Sequence, residues 1–226
     1  MTIVFEERAS DSPYIETVTR GFTLSDGGSI RPAEYHWHMV FVRHSAGLFP
    51  IVVGPWTTAG EVTWGEGAEI LWVRFEPGTF MSHLPTRDFL DSETVLPEAA
   101  GNNFWLKGCA WQFPNYENID TFVDQLVRED VLVHDPVVSA VLQGHPHDWS
   151  ARTVRHRFLN ATGLTQNHIR QVERARQAAA LLAQGVSILD TVHTLGYFDQ
   201  PHLTRSLKRF IGKTPAQQLA PLCETE

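Results

Sequence analysis

The sequence predicts an α+β fold in two parts, a β-rich barrel or sandwich at the N-terminus followed by an all-α domain. Three observations carry this. Short runs of β-branched and aromatic residues broken by Gly and Pro fill the chain to about Phe113. Near Pro114 the apolar positions change from strand spacing to helical spacing, and beyond residue 150 the charge reverses sign. The resulting division is 1–115 for the β-rich part, 116–134 for a linking helix, 135–220 for the helical domain and 221–226 for a tail.

At 226 residues the chain is long enough for one large domain or two modest ones, each with its own core. Hydrophobic residues at 42%, charged residues at 19%, 13 Phe and 7 Trp exclude a disordered, collagenous or coiled-coil chain. No apolar run approaches the roughly 20 residues that cross a bilayer, and Met1 to Glu7 lacks a basic leader, so a cytoplasmic protein with no membrane partner is expected. Cys109 and Cys223 form neither a disulfide framework nor a zinc pattern, and reduced thiols are expected.

The first strands are read at Ile3-Val4-Phe5, 14–18, 39–42, 49–53, 61–64 and 70–75, bounded by Gly27-Gly28, Gly54-Pro55, Gly65-Glu66-Gly67 and Pro77-Gly78. Between Pro85 and Pro97, the segment Arg87 to Ala100 reads as a short helix and loop packed on that β-body. Ile119, Phe122, Val123, Leu126 and Val127 then follow i, i+3, i+4, i+7, i+8, the apolar stripe of an amphipathic helix. Its partner is either a second subunit, which would make a homodimer, or the β-domain itself.

Asp135 is read as an N-cap with Pro136 at the first helical position and a stop at Gly144. Ser150 caps the next helix, with Val154, Phe158 and Leu159 inside and Gly163 at its end. Thr165 opens a longer helix that runs to Gly185, and Ser187 opens a third that stops at Gly196. Only Tyr197-Phe198 separate this stop from Asp199, the cap of a helix carrying Leu203, Leu207, Phe210 and Ile211. Helix, glycine turn, helix is the helix-turn-helix pattern.

Charge supports the same reading. Residues 1–150 carry 8 Lys and Arg against 21 Asp and Glu, a net of −13, whereas 151–220 carry 10 against 3, a net of +7. That asymmetry is a nucleic-acid footprint, the alternative being a solvated basic helical face, and the helix pattern decides between them. In a helix-turn-helix the second helix enters the major groove with its N-terminal residues at base edges. Off the apolar face of the helix starting at Gln200 lie Pro201, His202, Thr204, Arg205, Lys208 and Arg209. Gln200 and Arg205 suit base edges, while Lys208, Arg209 and Lys213 suit phosphates. The helix from Ala151 repeats this with Arg152, Arg155, His156 and Arg157, so two readers joined by the 166–183 helix are expected about one DNA turn, roughly 34 Å, apart.

The run SARTVRHRF at 150–158, Gly163-Leu164, Arg174-Ala175-Arg176 and the run GYFDQPHLTRSLKRFIGKTP at 196–215 together resemble the DNA-binding domain of AraC-type transcriptional regulators over about 70 residues. The resemblance implies that Gln200, Pro201 and Arg205, and Arg152, Arg155 and His156, face DNA at a promoter. It further implies a cupin-like N-terminal ligand-binding or dimerisation domain, hence a small-molecule effector, and contact with RNA polymerase at the promoter; since no metal triad or acid/base pair stands out, no cofactor and no enzymatic activity are expected. Before its second helix the first motif departs from the family: His145 to Trp149 separate Gly144 from Ser150, so either Asp135 to Gln143 is the first helix with a lengthened turn or that motif is degraded.

Six of the seven Trp lie in the N-terminal part, and Trp37, Trp56 and Trp72 are candidates for lining an effector pocket, the alternative being core packing. His36 and His38 alternate along one strand with His44 nearby, but nothing at the right spacing completes a metal site, so no metal is expected. The competing classes are a cupin-type metal enzyme with incidental C-terminal helices, and an adaptor that binds DNA without any ligand.

Overall fold

The computed structural model describes residues 2–145 and 148–219; Met1, Pro146, His147 and 220–226, and with them Cys223, Glu224, Glu226 and the tail, lie outside the described residues. Among the described residues twelve strands precede the first α-helix: β1 Ile3–Arg8, β2 Ile15–Thr23, β3 Gly27–Arg31, β4 His38–His44, β5 Gly47–Val53, β6 Gly60–Trp64, β7 Glu69–Phe75, β8 Thr79–Met81, β9 Glu93–Val95, β10 Glu98–Ala99, β11 Asn103–Leu106 and β12 Cys109–Gln112. Then come α1 Ile119–Arg128, β13 Leu132–His134, α2 Pro136–Leu142, α3 Ala151–Thr162, α4 Gln166–Ala183, α5 Ile188–Thr194, α6 Gln200–Phe210 and α7 Pro215–Leu219.

The chain forms two compact units, one made of residues 1–28, 35–55 and 63–165, the other of 29–34, 56–62 and 166–226. In the first, six strands make a sheet in the order β1-β2-β7-β4-β5-β9, every pair antiparallel. Among the described residues this sheet ends at β1 and β9, so the expected barrel does not close; a sheet can only close when its edge strands pair. Alternation puts Met39, Phe41, Leu71, Val73 and Phe75 on one face, and that face is covered by α1 and by the β10-β11-β12 sheet through Phe104, Leu106, Phe122 and Leu126. Arg8 at the end of β1 donates to Asp120 Oδ2 at 2.5 Å and so ties the edge strand to the start of α1.

The α1 stripe is thus resolved in favour of the β-domain: Ile119, Phe122, Val123 and Leu126 are buried in this core. The expected helix in Arg87 to Ala100 is corrected to a single 3-10 turn, Thr86–Phe89, followed by two short strands. Leu90 is extended, at φ −60° and ψ 141°, and ends the turn, and Glu93-Thr94-Val95 pair with β5, Ile51 opposite Val95. The helix boundaries read from caps hold: the side chains of Asp135, Ser150, Ser187 and Asp199 each accept a backbone N–H of the first helical turn.

In the second unit Ala178, Leu182, Val192, Tyr197, Leu203 and Leu207 form the core between α4, α5 and α6. The chain segments 29–34 and 56–62 belong here. The last carbonyls of a helix lack partners within it, and the final two of α6 are met from these segments: Ala59 N–H donates to Arg209 O at 2.8 Å and Ala33 N–H to Phe210 O at 2.6 Å.

Candidate nucleic-acid interface

Two helices follow each other across a short turn at 195–199, where Gly196 adopts φ 65°, a conformation that side-chain-bearing residues resist. Beyond it Tyr197 turns inward. Its hydroxyl lies 3.2 Å from Ser206 Oγ, and the Arg174 guanidinium sits 4.5 Å from its ring centroid, so α4, the turn and α6 are fixed together. Asp199 Oδ1 accepts from His202 N–H at 2.7 Å and starts α6.

Leu203, Ser206, Leu207 and Phe210 form the buried face of α6, which leaves Gln200, Pro201, Arg205, Lys208 and Arg209 exposed. Arg209 lies with its guanidinium 4.9 Å from the Phe210 ring centroid. Two further residues of the sequence-derived set have local work. His202 is half-buried, with Nδ1 accepting from Phe198 N–H at 3.4 Å, and Thr204 Oγ1 donates to Gln200 O at 2.9 Å. Lys213 is half-buried just before α7, whose start is closed by Gln217 Oε1 accepting from Thr214 N–H at 2.7 Å.

In the first unit, α3 exposes Arg152, Arg155 and His156 and buries Val154 and Phe158. Arg157 is used structurally. Its Nη1 donates to Asp135 Oδ1 at 3.1 Å, the same oxygen that caps α2 at Val137 N–H. Thr86 Oγ1 donates to Ala161 O at 3.0 Å and anchors the other end of α3.

The three aromatic candidates for effector contact stand in different places. Trp37 is 3% exposed, stacked on Phe75 at 4.1 Å with its indole N–H donating to Thr79 O at 2.6 Å, which makes it a core residue. Trp72 is half-buried on the opposite face of the sheet, its ring 6.1 Å from that of Phe5. Trp56 belongs to the second unit and carries the Arg31 guanidinium 3.6 Å from its centroid. His36 is buried with Nε2 3.2 Å from Glu16 Oε2, and among the described residues no group of three or more His, Cys, Asp or Glu is placed to hold a metal ion. Among them, too, no helix is long and apolar enough to cross a membrane.

Sequence reasoning missed Phe198, which is 90% exposed in the turn, and the coupling of 29–34 and 56–62 to α6. The first was legible as the residue preceding a cap; the second has no local sequence signal.

Comparison with known proteins places this geometry in a class. Residues 148–220 match the family model of a helix-turn-helix domain, so the C-terminal part of the chain carries an AraC-type helix-turn-helix domain. The match takes in α3 to α7 and leaves α2 outside. The chain is similar to the HTH-type transcriptional regulator RipA of Corynebacterium glutamicum, 37% identical over 67 residues, which is 30% of this chain and 20% of that protein. It is also similar to the HTH-type transcriptional regulator RipA of Corynebacterium diphtheriae, 33% identical over 84 residues, 35% of this chain and 25% of that protein. The matched segment therefore spans a fifth to a quarter of the length of these curated relatives. No solved structure gives a significant match.

Proposed function

We propose that this chain is a transcriptional regulator that binds a specific double-stranded DNA sequence through α6 and reports on a small molecule bound by its β-rich unit. The observation that carries the reading is the exposed row Gln200, Arg205, Lys208 and Arg209 on a capped helix that follows a glycine turn. An amide and a guanidinium near the N-terminal end suit base edges, and the later cations suit phosphates. Arg152, Arg155 and His156 on α3 make a second contact surface in this reading, and Pro201 offers only its ring to a base. That both relatives are HTH-type transcriptional regulators supports the regulatory role.

The sensor half of the proposal comes from the resemblance to AraC-type regulators, with an open sheet in place of a closed cupin-like barrel. Trp37 is consumed by the core, which leaves Trp72, on the sheet face away from α1, and Trp56 as the candidate tryptophans. A homodimer in this reading uses a surface other than the α1 stripe, and contact with RNA polymerase follows DNA binding.

Selection of duplexes from a random-sequence pool by the full chain tests the proposal. Enrichment of one motif is expected, with affinity falling steeply between 50 and 200 mM salt through counterion release. Failure to enrich any motif overturns it. Melting of the full chain against a library of small metabolites tests the sensor half, a ligand-dependent rise being the expected result.

A further inference from the structure

A residue at N′, just before the helix cap, ordinarily packs against N4 one turn later as a hydrophobic staple. In α6 the cap is Asp199, so N′ is Phe198 and N4 is Leu203. The pair does not form. Leu203 is fully buried in a core that Tyr197 completes, while Phe198 stands 90% exposed. Its backbone is nevertheless held, since Phe198 N–H donates to His202 Nδ1 at 3.4 Å and the His202 ring edges onto Tyr197 at 5.2 Å. A rigidly based aromatic side chain is therefore presented to solvent at the end of α6 that also bears Gln200 and Pro201, with Arg205 exposed further along the helix.

We propose that Phe198 is a specificity-determining residue that packs on the C5 methyl of a thymine in the major groove. This rests on the reading that α6 enters that groove. A phenyl ring has no hydrogen-bond donor or acceptor for a base edge. Of the groups displayed in the major groove, the thymine methyl is the apolar one. Pro201, exposed in the first turn of α6 and without a backbone N–H, adds a second apolar group at that end. Gln200 and Arg205, exposed on the same helix, supply the polar readout.

The test uses the full chain and the duplex it selects from a random pool, with each thymine replaced in turn by deoxyuridine, which lacks only the methyl. Wild-type protein is expected to lose about four-fold in affinity at one position, the value of one buried methyl-sized group. Phe198→Ser, with unchanged melting because the ring buries almost nothing, is expected to bind the thymine and deoxyuridine duplexes alike at that position. Tight wild-type binding that no deoxyuridine weakens overturns the proposal, as does a methyl dependence that survives in Phe198→Ser. A Phe198→Ser variant that binds DNA as wild type does but fails in transcription assigns the ring to a protein partner and also overturns it. Absence of selective binding by wild-type protein overturns the underlying reading and this proposal together.

Discussion

Arg176 of α4 holds Glu34 at 3.0 Å from Nη2 to Oε2, and the same nitrogen donates to Ala33 O at 3.0 Å. Ala33 in turn gives its N–H to the last carbonyl of α6, so one guanidinium fixes the segment that ends the candidate reading helix. The Glu34 side chain is 11% exposed and that of Arg176 29%, which leaves a largely desolvated carboxylate if the arginine is removed. Arg176→Ala is expected to cost about 2–3 kcal/mol, below the range for fully buried pairs because the guanidinium is partly wet. Chemical denaturation of the full chain measures it. Glu34→Gln should cost less, and the double variant less than the sum of the two; simple additivity would show that the pair is not coupled.

The α1 stripe faces its own β-domain, so truncating it should act on folding and not on assembly. Phe122 packs edge-on against Phe41 at 5.7 Å and Trp111 at 6.0 Å. Phe122→Ala is expected to lose about 3–5 kcal/mol of stability, read by denaturation. Sedimentation of wild type and variant under native conditions should give the same oligomeric state; a variant that dissociates a wild-type dimer would return the stripe to a subunit interface.

How much of this was legible depended on how local the signal was. Helix caps are read within four residues, and Asp135, Ser150, Ser187 and Asp199 were recognisable for that reason. The strands of the main sheet announced themselves by β-branched and aromatic runs, but Glu93–Val95 hid in a polar segment because its strand character comes from pairing with β5. Spacing could not choose a partner for the α1 stripe, since an apolar face looks the same whichever surface covers it. The division of Trp37 from Trp72 was equally invisible: one faces the core and the other its reverse, a matter of sheet register. Of the candidate DNA-facing residues, exposure on α3 and α6 followed from helical periodicity, whereas the local bonds of His202, Thr204 and Arg157 did not.

Stability should depend on pH through His134. Burial holds its imidazole below the ordinary histidine value, against the opposing pull of Asp135. With the folded value depressed, the unfolded chain binds more protons, so this contribution is full above the unfolded value of about 6.5 and is lost as pH falls below it and through the lower folded value. Denaturation midpoints are expected to drop between about pH 7.5 and 5.5, and His134→Gln should flatten that slope. An unchanged slope would assign the pH dependence to other groups, His83 among them, whose value burial also lowers.

The division of labour among the basic residues gives the sharpest contrast. Arg205 is exposed one turn into α6, after Gln200 and on the face away from Leu203 and Leu207, so it is expected to read a base. Arg205→Ala should cost about 1–3 kcal/mol on the selected duplex and relax sequence preference at one position, whereas Lys213→Ala should weaken all sequences alike and lower the salt slope by about one. In α3, Arg152→Ala and Arg155→Ala should behave like Arg205→Ala if that helix reads bases, and like Lys213→Ala if it only grips the backbone. Arg157→Ala supplies the internal control. Its guanidinium is bound to the Asp135 cap but is 42% exposed, so solvent screening limits its loss to about 0.5–1 kcal/mol of stability, with sequence preference unchanged. If Arg157→Ala alters sequence preference while Arg152→Ala and Arg155→Ala do not, the face of α3 presented to DNA is the one bearing Arg157, and the Asp135 pair must open on binding.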